Sequence, residues 1–218
     1  MTPPTRILIA DDHPLIRKGL RQVIEAETNF EVIGEAADGR QALNLILQHQ
    51  PQITILDVTM PELGGFEVAS ELRQRKLDVA IIFLTMHNDK TLFNKALDVG
   101  SKGYVLKDSA LDEIVDALTA VAKGRPFVSA ALSGYLLQRM DRIGLLAQQV
   151  PGLNDLTATE KRVLKLIAQY KTSKEIAEEL HIHYRTVDNH RTNISAKLGL
   201  QGSHALLKFA VEHQAELV

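Results

Sequence analysis

Residues 7–14, ILIADDHP, set two aspartates side by side at the end of an apolar run and then turn at once into a proline. Ile7 to Ala10 are apolar throughout rather than alternating, as suits a strand buried on both faces. Adjacent carboxylates repel each other and aspartate is a poor strand former, so Asp11 and Asp12 mark the strand's exit. Pro14 suits the first turn of a helix, where its fixed φ is already helical. A buried strand that leaves into a helix is the repeating unit of a parallel α/β sheet.

The unit recurs along the first half of the chain. Strands are expected at residues 6–10, 31–36, 53–56, 79–84 and 103–106. Between them, spacings such as Leu15, Leu20, Val23, Ile24 and Ala42, Leu43, Ile46, Leu47 put apolar groups on one helical face. Asp38-Gly39 and Gly64-Gly65 open helices and Gly100 ends one. Five strand–helix units predict a doubly wound, five-stranded parallel α/β sheet with helices on both faces.

After Gly124 the alternation stops. Residues 124–153 read as a linker with a helix around 130–142, and from Leu156 onward every periodic segment is helical. Thr157-Ala-Thr-Glu160 and Thr172-Ser-Lys-Glu175 each have capping-box spacing ahead of an apolar stripe. A third helix runs from about Tyr184 to Leu198, stopped by Gly199, and a fourth from Ser203 to about His213. The domains expected are therefore 5–123, a linker 124–153, and a small all-α domain 154–218.

The 218 residues contain no cysteine, which excludes disulfides and thiolate chemistry and suits a reducing, cytoplasmic setting. No apolar stretch approaches the roughly 18 residues of a membrane span, so no membrane partner is expected. The net charge is −2, divided as −3 over residues 1–150 and +1 over 151–218, where 9 Lys and Arg face 8 Asp and Glu. That balance neither advertises nor excludes a nucleic-acid partner, because a local basic patch is enough.

In a doubly wound sheet, ligands bind beyond the carboxyl ends of the strands. There the first strand exits into Asp11-Asp12, the third into Asp57, the fourth into Thr85 and the fifth into Lys107. Each alone has an ordinary explanation: Asp caps helices, Thr finishes strands, and Lys is solvated surface. Together, at one edge, they form a coherent set. Three close carboxylates stay ionised only if a cation offsets them. Oxygen ligands, with no cysteine and no nearby ligating histidine, point to Mg²⁺. A carboxylate can attack a phosphoryl group to give an aspartyl phosphate, and Asp57, alone at the exit of a central strand, is the candidate acceptor. Asp11 and Asp12 are then the metal's acidic pocket, and the Thr85 hydroxyl and Lys107 ammonium hold phosphoryl oxygens.

These residues, with Met60-Pro61 and Gly64-Gly65 after Asp57 and the run Tyr104-Val-Leu-Lys107, resemble the receiver domain of two-component response regulators. The resemblance implies a flavodoxin-like sheet ordered 2-1-3-4-5 and phosphotransfer to Asp57 from a cognate histidine kinase. It implies Mg²⁺ ligated by Asp12, Asp57 and the backbone carbonyl of Thr59, with Asp11 acting through water. Thr85 and Tyr104 match the family's switch pair, and Thr59 and His87 its positions that tune phosphate lifetime. The alternative for Tyr104, without the resemblance, is an ordinary strand aromatic.

In the second domain, two short helices joined by a brief turn suggest a helix-turn-helix, although other small bundles read similarly. Projected at about 100° per residue with Val187 inward, the third helix turns Arg185, Asn189, Thr192 and Ala196 outward, flanked by Asp188 and Asn193. Small polar groups suit a major groove, and Asn can pair bidentately with adenine. His190 and Arg191 lie nearer the stripe's edges, within reach of phosphates. Leu156-Thr157-Ala-Thr-Glu160, Lys174-Glu-Ile-Ala177, Thr186-Val187, His190-Arg191 and Lys197-Leu198-Gly199 resemble the LuxR-type DNA-binding domain. Joined to a receiver, this defines regulators of the NarL/FixJ type. The chain departs from that pattern at Tyr170 and His181, where glycine is usual, at His183, where serine is usual, and at Asp188, where a basic residue is common. Asp188 is expected to accept from a cytosine amino group or to repel wrong sites.

The expected function is a phosphorylation-controlled transcriptional regulator. It binds double-stranded promoter DNA through residues 184–198, with Arg185, Asp188, Asn189, His190, Arg191, Thr192 and Lys197 as contacts, and pairs on DNA as a homodimer through its last helix. That helix reads equally as intradomain packing. It is not expected to be an enzyme beyond Mg²⁺-dependent self-phosphorylation and self-dephosphorylation. Two rivals are an aspartyl-phosphate hydrolase, which wants a carboxylate where Thr59 stands, and a phospho-switched adaptor that binds protein.

Overall fold

The computed structural model describes residues 3–202, 204–214 and 216–217. The chain divides into two compact units, Met1–Tyr135 and Leu136–Val218.

The first unit runs β1 (Thr5–Ala10), α1 (Pro14–Glu25), β2 (Phe30–Ala36), α2 (Gly39–His49), β3 (Ile53–Asp57), α3 (Gly65–Gln74), β4 (Ala80–Thr85), α4 (Lys90–Asp98), β5 (Gly103–Leu106), α5 (Ala110–Ala122) and β6 (Phe127–Val128). All neighbouring strands are parallel, in the order β2-β1-β3-β4-β5-β6. Ile7, Leu8 and Ile9 are wholly buried, which accounts for the continuous apolar run and contributes about 1.5–3 kcal/mol per side chain. One face of the sheet packs Leu20 and Ile24 of α1 and Ile114, Leu118 and Val121 of α5 against Ile7, Ile9, Ile55, Ile82 and Val105. On the other, Phe66 of α3 meets Phe83 of β4 with ring centroids 4.8 Å apart.

The sheet has six strands where five are expected. β6 lies inside the stretch read as linker, and two residues are too few to carry a period. Its place comes from the edge of β5: the Phe127 and Ser129 N–H groups donate to the carbonyls of Lys102 (2.9 Å) and Tyr104 (3.0 Å). The buried Ser129 hydroxyl accepts from the Leu106 N–H at 3.1 Å and donates to Glu113 of α5. The helix expected at 130–142 is α6, Ser133–Gln149, preceded by a 3₁₀ turn at Ala130–Leu132.

The second unit holds most of α6 and then α7 (Ala158–Ala168), α8 (Ser173–Leu180), α9 (Tyr184–Lys197) and α10 (Ala205–Glu212). Val163, Leu164, Ile167, Ile176, Val187, Ile194, Leu206, Phe209 and Ala210 form its core. Both capping boxes are made: Thr157 with Glu160 opens α7, and Thr172 with Glu175 opens α8. The expected start of the last helix at Ser203 lies outside the described residues.

Candidate phosphoacceptor site and recognition helix

Strand register delivers the acidic site. Ala10 pairs with Leu56, so Asp11 stands level with Asp57. Asp57 pairs with Leu84 and Thr85 with Leu106, so β4 and β5 end at the same edge. Behind Asp57 the chain turns tightly into α3. A Cβ on Gly65 would lie 2.3 Å from the Asp57 carbonyl oxygen, a distance no side chain tolerates. The Gly64-Gly65 pair is therefore a close approach of two backbones as well as a helix start.

At that edge the Lys107 ammonium stands 2.7 Å from Asp57 Oδ2 and 2.7 Å from Asp11 Oδ2, and all three side chains are buried. Asp57 Oδ1 accepts from the Thr59 N–H at 3.2 Å, while the Thr59 side chain faces solvent. Burial raises the Asp57 carboxyl above its ordinary range, outweighing Lys107, which pulls it down; the Asp11 charge raises it further. Burial alone would lower Lys107, but its two carboxylate partners reverse the sign and raise it. One ammonium thus faces more negative charge than it neutralises.

Asp11, Asp12, His13 and Asp57 each bring one ligand atom within 4.8 Å of the others. His13 corrects the expectation that no ligating histidine is near. It is the N-cap of α1, and its Nδ1 lies 2.6 Å from Asp12 Oδ1 and 3.3 Å from Asp11 Oδ1. Asp12 Oδ1 is buried and lies off the line of any hydrogen bond. A donor set of three carboxylates with one compensating ammonium fits a divalent cation, with oxygen as the dominant donor.

Thr85 ends β4 buried, its hydroxyl accepting from the His87 N–H at 3.1 Å, and the His87 side chain is exposed. Tyr104 is buried edge-on against Phe93 and Phe83, with centroids at 5.4 and 6.4 Å. Burial pushes its phenol up to about 12, against a weaker downward pull from the Thr85 hydroxyl. The two hydroxyls are neighbours, yet their alignment leaves the phenol oxygen without a hydrogen bond. The aromatic ring therefore lies inside, beside the threonine.

In the second unit, α8 and α9 are joined by His181, Ile182 and His183. His181 holds a left-handed φ of 53° and Tyr170, before α8, one of 62°. Both are positions where the related domain usually has glycine. Val187 and Ile194 are buried, and Arg185, Asn189, Thr192 and Ala196 are exposed on the opposite side of α9, with Asp188 exposed at their flank. Of the contacts expected from the sequence, two basic side chains are engaged inside the domain. Lys197 Nζ bonds Glu160 Oε2 at 2.7 Å and the Asp155 carbonyl at 3.0 Å. Arg191 Nη2 donates to the Lys171 carbonyl at 3.0 Å, and burial lowers its guanidinium. His190 is half-buried.

The family described as "Response regulator receiver domain" matches residues 7–119. That described as "Bacterial regulatory proteins, luxR family" matches residues 154–210. The chain belongs to the response regulators, in the branch that carries a LuxR-family domain. This response regulator is 37% identical over 193 residues to the transcriptional regulatory protein LiaR of Bacillus subtilis, covering 88% of this chain and 90% of that one. It is 32% identical over 212 residues to the oxygen regulatory protein NreC of Staphylococcus carnosus, covering 95% and 97%. Among solved structures, the complex of the response regulator RcsB with DNA aligns with a TM-score of 0.59 at 28% identity, covering 94% of this chain and 97% of that one. The receiver domain of the putative response regulator NarL from Mycobacterium tuberculosis aligns with a TM-score of 0.55 at 37% identity, covering 57% of this chain and all of that one. No helix among the described residues is long and apolar enough to cross a membrane.

Proposed function

We propose that this response regulator takes a phosphoryl group onto Asp57 from the phosphohistidine of a cognate kinase and, so modified, pairs as a homodimer on promoter DNA in the cytoplasm. The observation that carries the reading is the Lys107 ammonium held 2.7 Å from both Asp11 and Asp57, on the same chain as a LuxR-family domain. An Asp57 carboxylate oxygen attacks phosphorus, the phosphorus–nitrogen bond breaks, and its electron pair leaves on the imidazole, which takes up a proton. Asp11, Asp12, Asp57 and the Thr59 carbonyl would hold Mg²⁺, whose charge would offset that of the phosphoryl oxygens. Lys107 and the Thr85 hydroxyl bind those oxygens, and the Thr85 movement holds Tyr104 in the inward position where its ring already lies. Thr59 and His87, both exposed, with backbone N–H groups bonded to Asp57 and Thr85, govern access of water and so the lifetime of the phosphate. The chemistry is a single transfer to and from the chain itself, without turnover of an outside substrate.

On the DNA side, Arg185, Asp188, Asn189 and Thr192 form the outward face of α9 that enters the major groove. His190, Arg191 and Lys197 serve at its margins. Arg191 and Lys197 do so mainly by fixing α9 against α7 and the turn before α8, since their charged ends are bonded there.

Footprinting with and without an acyl-phosphate donor and Mg²⁺ tests the reading. A footprint on a repeated site that strengthens with the donor is expected, and Asp57→Ala abolishes both phosphate uptake and that strengthening. Phosphate retained by Asp57→Ala at an undiminished rate refutes the acceptor.

A further inference from the structure

The residue that opens the recognition helix is a histidine where the related domain usually has serine, and its ring is held in one orientation. His183 is exposed and caps α9 with extended backbone, its Nδ1 accepting the Arg185 N–H at 3.3 Å. The imidazole packs tilted against the Tyr184 ring with centroids 4.6 Å apart, and the Arg185 guanidinium lies 6.0 Å from the Tyr184 centroid. A ring nitrogen that accepts a hydrogen bond carries no proton. The proton of the neutral imidazole is therefore on Nε2, at the far side of the ring from the helix backbone. Serine in this place supplies the cap but cannot reach outward in the same way.

We infer that His183 is a DNA contact residue that donates its Nε2–H to a backbone phosphate as a neutral group, with the cap fixing the tautomer and Tyr184 positioning the ring. Recognition helices enter DNA by their N-terminal end, and phosphates flanking the groove are met there by polar donors that set register. Two other basic side chains of α9 are already engaged: the ammonium of Lys197 and a guanidinium N–H of Arg191 are bonded inside the domain. The inference rests on the DNA-binding reading of this helix, but is separable from it.

The two ring nitrogens can be tested one at a time, because Asn places a polar atom near Nδ1 and Gln one near Nε2. Full-length protein, treated with acyl phosphate and Mg²⁺, is titrated with a random-sequence DNA duplex over a range of salt. Binding by the parent protein tests the function; the ratios among variants test the inference. His183→Asn keeps the cap and loses the outward donor, so binding weakens about tenfold or more, as for one hydrogen bond to a charged acceptor, while Tm is unchanged. His183→Gln loses the cap and keeps a donor, so Tm falls while most of the affinity remains. The salt slope is the same in all three, since a neutral donor releases no counterion. Equal affinity in parent and His183→Asn overturns the contact. A slope that falls by about one in His183→Asn overturns the neutral tautomer, because the ring would then have bound as a cation.

Discussion

Lys107 Nζ stands 2.7 Å from Asp57 Oδ2 in a buried site that also contains Asp11, so the ammonium is the resident counter-charge of the acceptor pocket. Removing one partner of a buried pair strands the other charges. Lys107→Ala should lower stability by about 3 kcal/mol at neutral pH. Mg²⁺ should restore part of that loss, because it offsets the same carboxylates. Chemical denaturation with and without Mg²⁺ reads both effects, and a loss that Mg²⁺ leaves untouched would separate the lysine from the cation site.

Asp57 has a second consequence through pH. Its folded carboxyl is raised above the unfolded value of 3.8, so between those two values the folded state binds more protons. Stability contributed by this group is thus present at low pH and is lost as pH rises through that window. Asp57→Asn should abolish this loss and stabilise the metal-free receiver at neutral pH. Thermal melts across acid to neutral pH check the sign; destabilisation by Asn at neutral pH would reverse it.

Glu160 runs the opposite way. The Lys197 ammonium, with lesser help from Thr157, holds its carboxyl below the ordinary range, so its stabilisation is present above pH about 4.5 and is lost on acidification. Glu160→Gln should cost about 2 kcal/mol at neutral pH and blunt the acid sensitivity of the helical unit. Melts followed by helix content would report it.

Tyr170 and His181 carry left-handed backbone without being glycine. That conformation costs roughly 1–2 kcal/mol in an L-residue, partly returned through a less flexible unfolded chain. Tyr170→Gly and His181→Gly should each stabilise by about 0.5–1 kcal/mol. Melts of the single variants decide it; destabilisation of both would mean that the exposed side chains contribute more than the strain costs.

Asp188 faces outward from α9 with a negative charge. Asp188→Lys should tighten binding to random-sequence DNA about tenfold at moderate salt and steepen the salt slope by about one. It should also relax or change the preferred sequence. If both affinity and selected sequence are unchanged, Asp188 takes no part in recognition.

Much of this was legible in residues 7–14 and their echoes. Continuous apolar strands, acidic strand exits and two capping boxes are local signals, and each specifies its element through short-range chemistry. Sequence alone therefore determined the parallel α/β receiver, the helical domain, and the set Asp11, Asp12, Asp57, Thr85 and Lys107 as a candidate site. What it left undetermined depends on contacts between residues far apart in the chain. β6 exists because the edge of β5 offers unpaired backbone groups, and a two-residue strand has no period of its own. His13 joins the acidic cluster because, from the N-cap position of α1, its Nδ1 lies against the Asp12 carboxylate. Lys197 reads as a DNA contact in sequence, yet its ammonium bonds Glu160, 37 residues earlier. Local pattern chooses the elements; only packing decides which of a side chain's possible partners it meets.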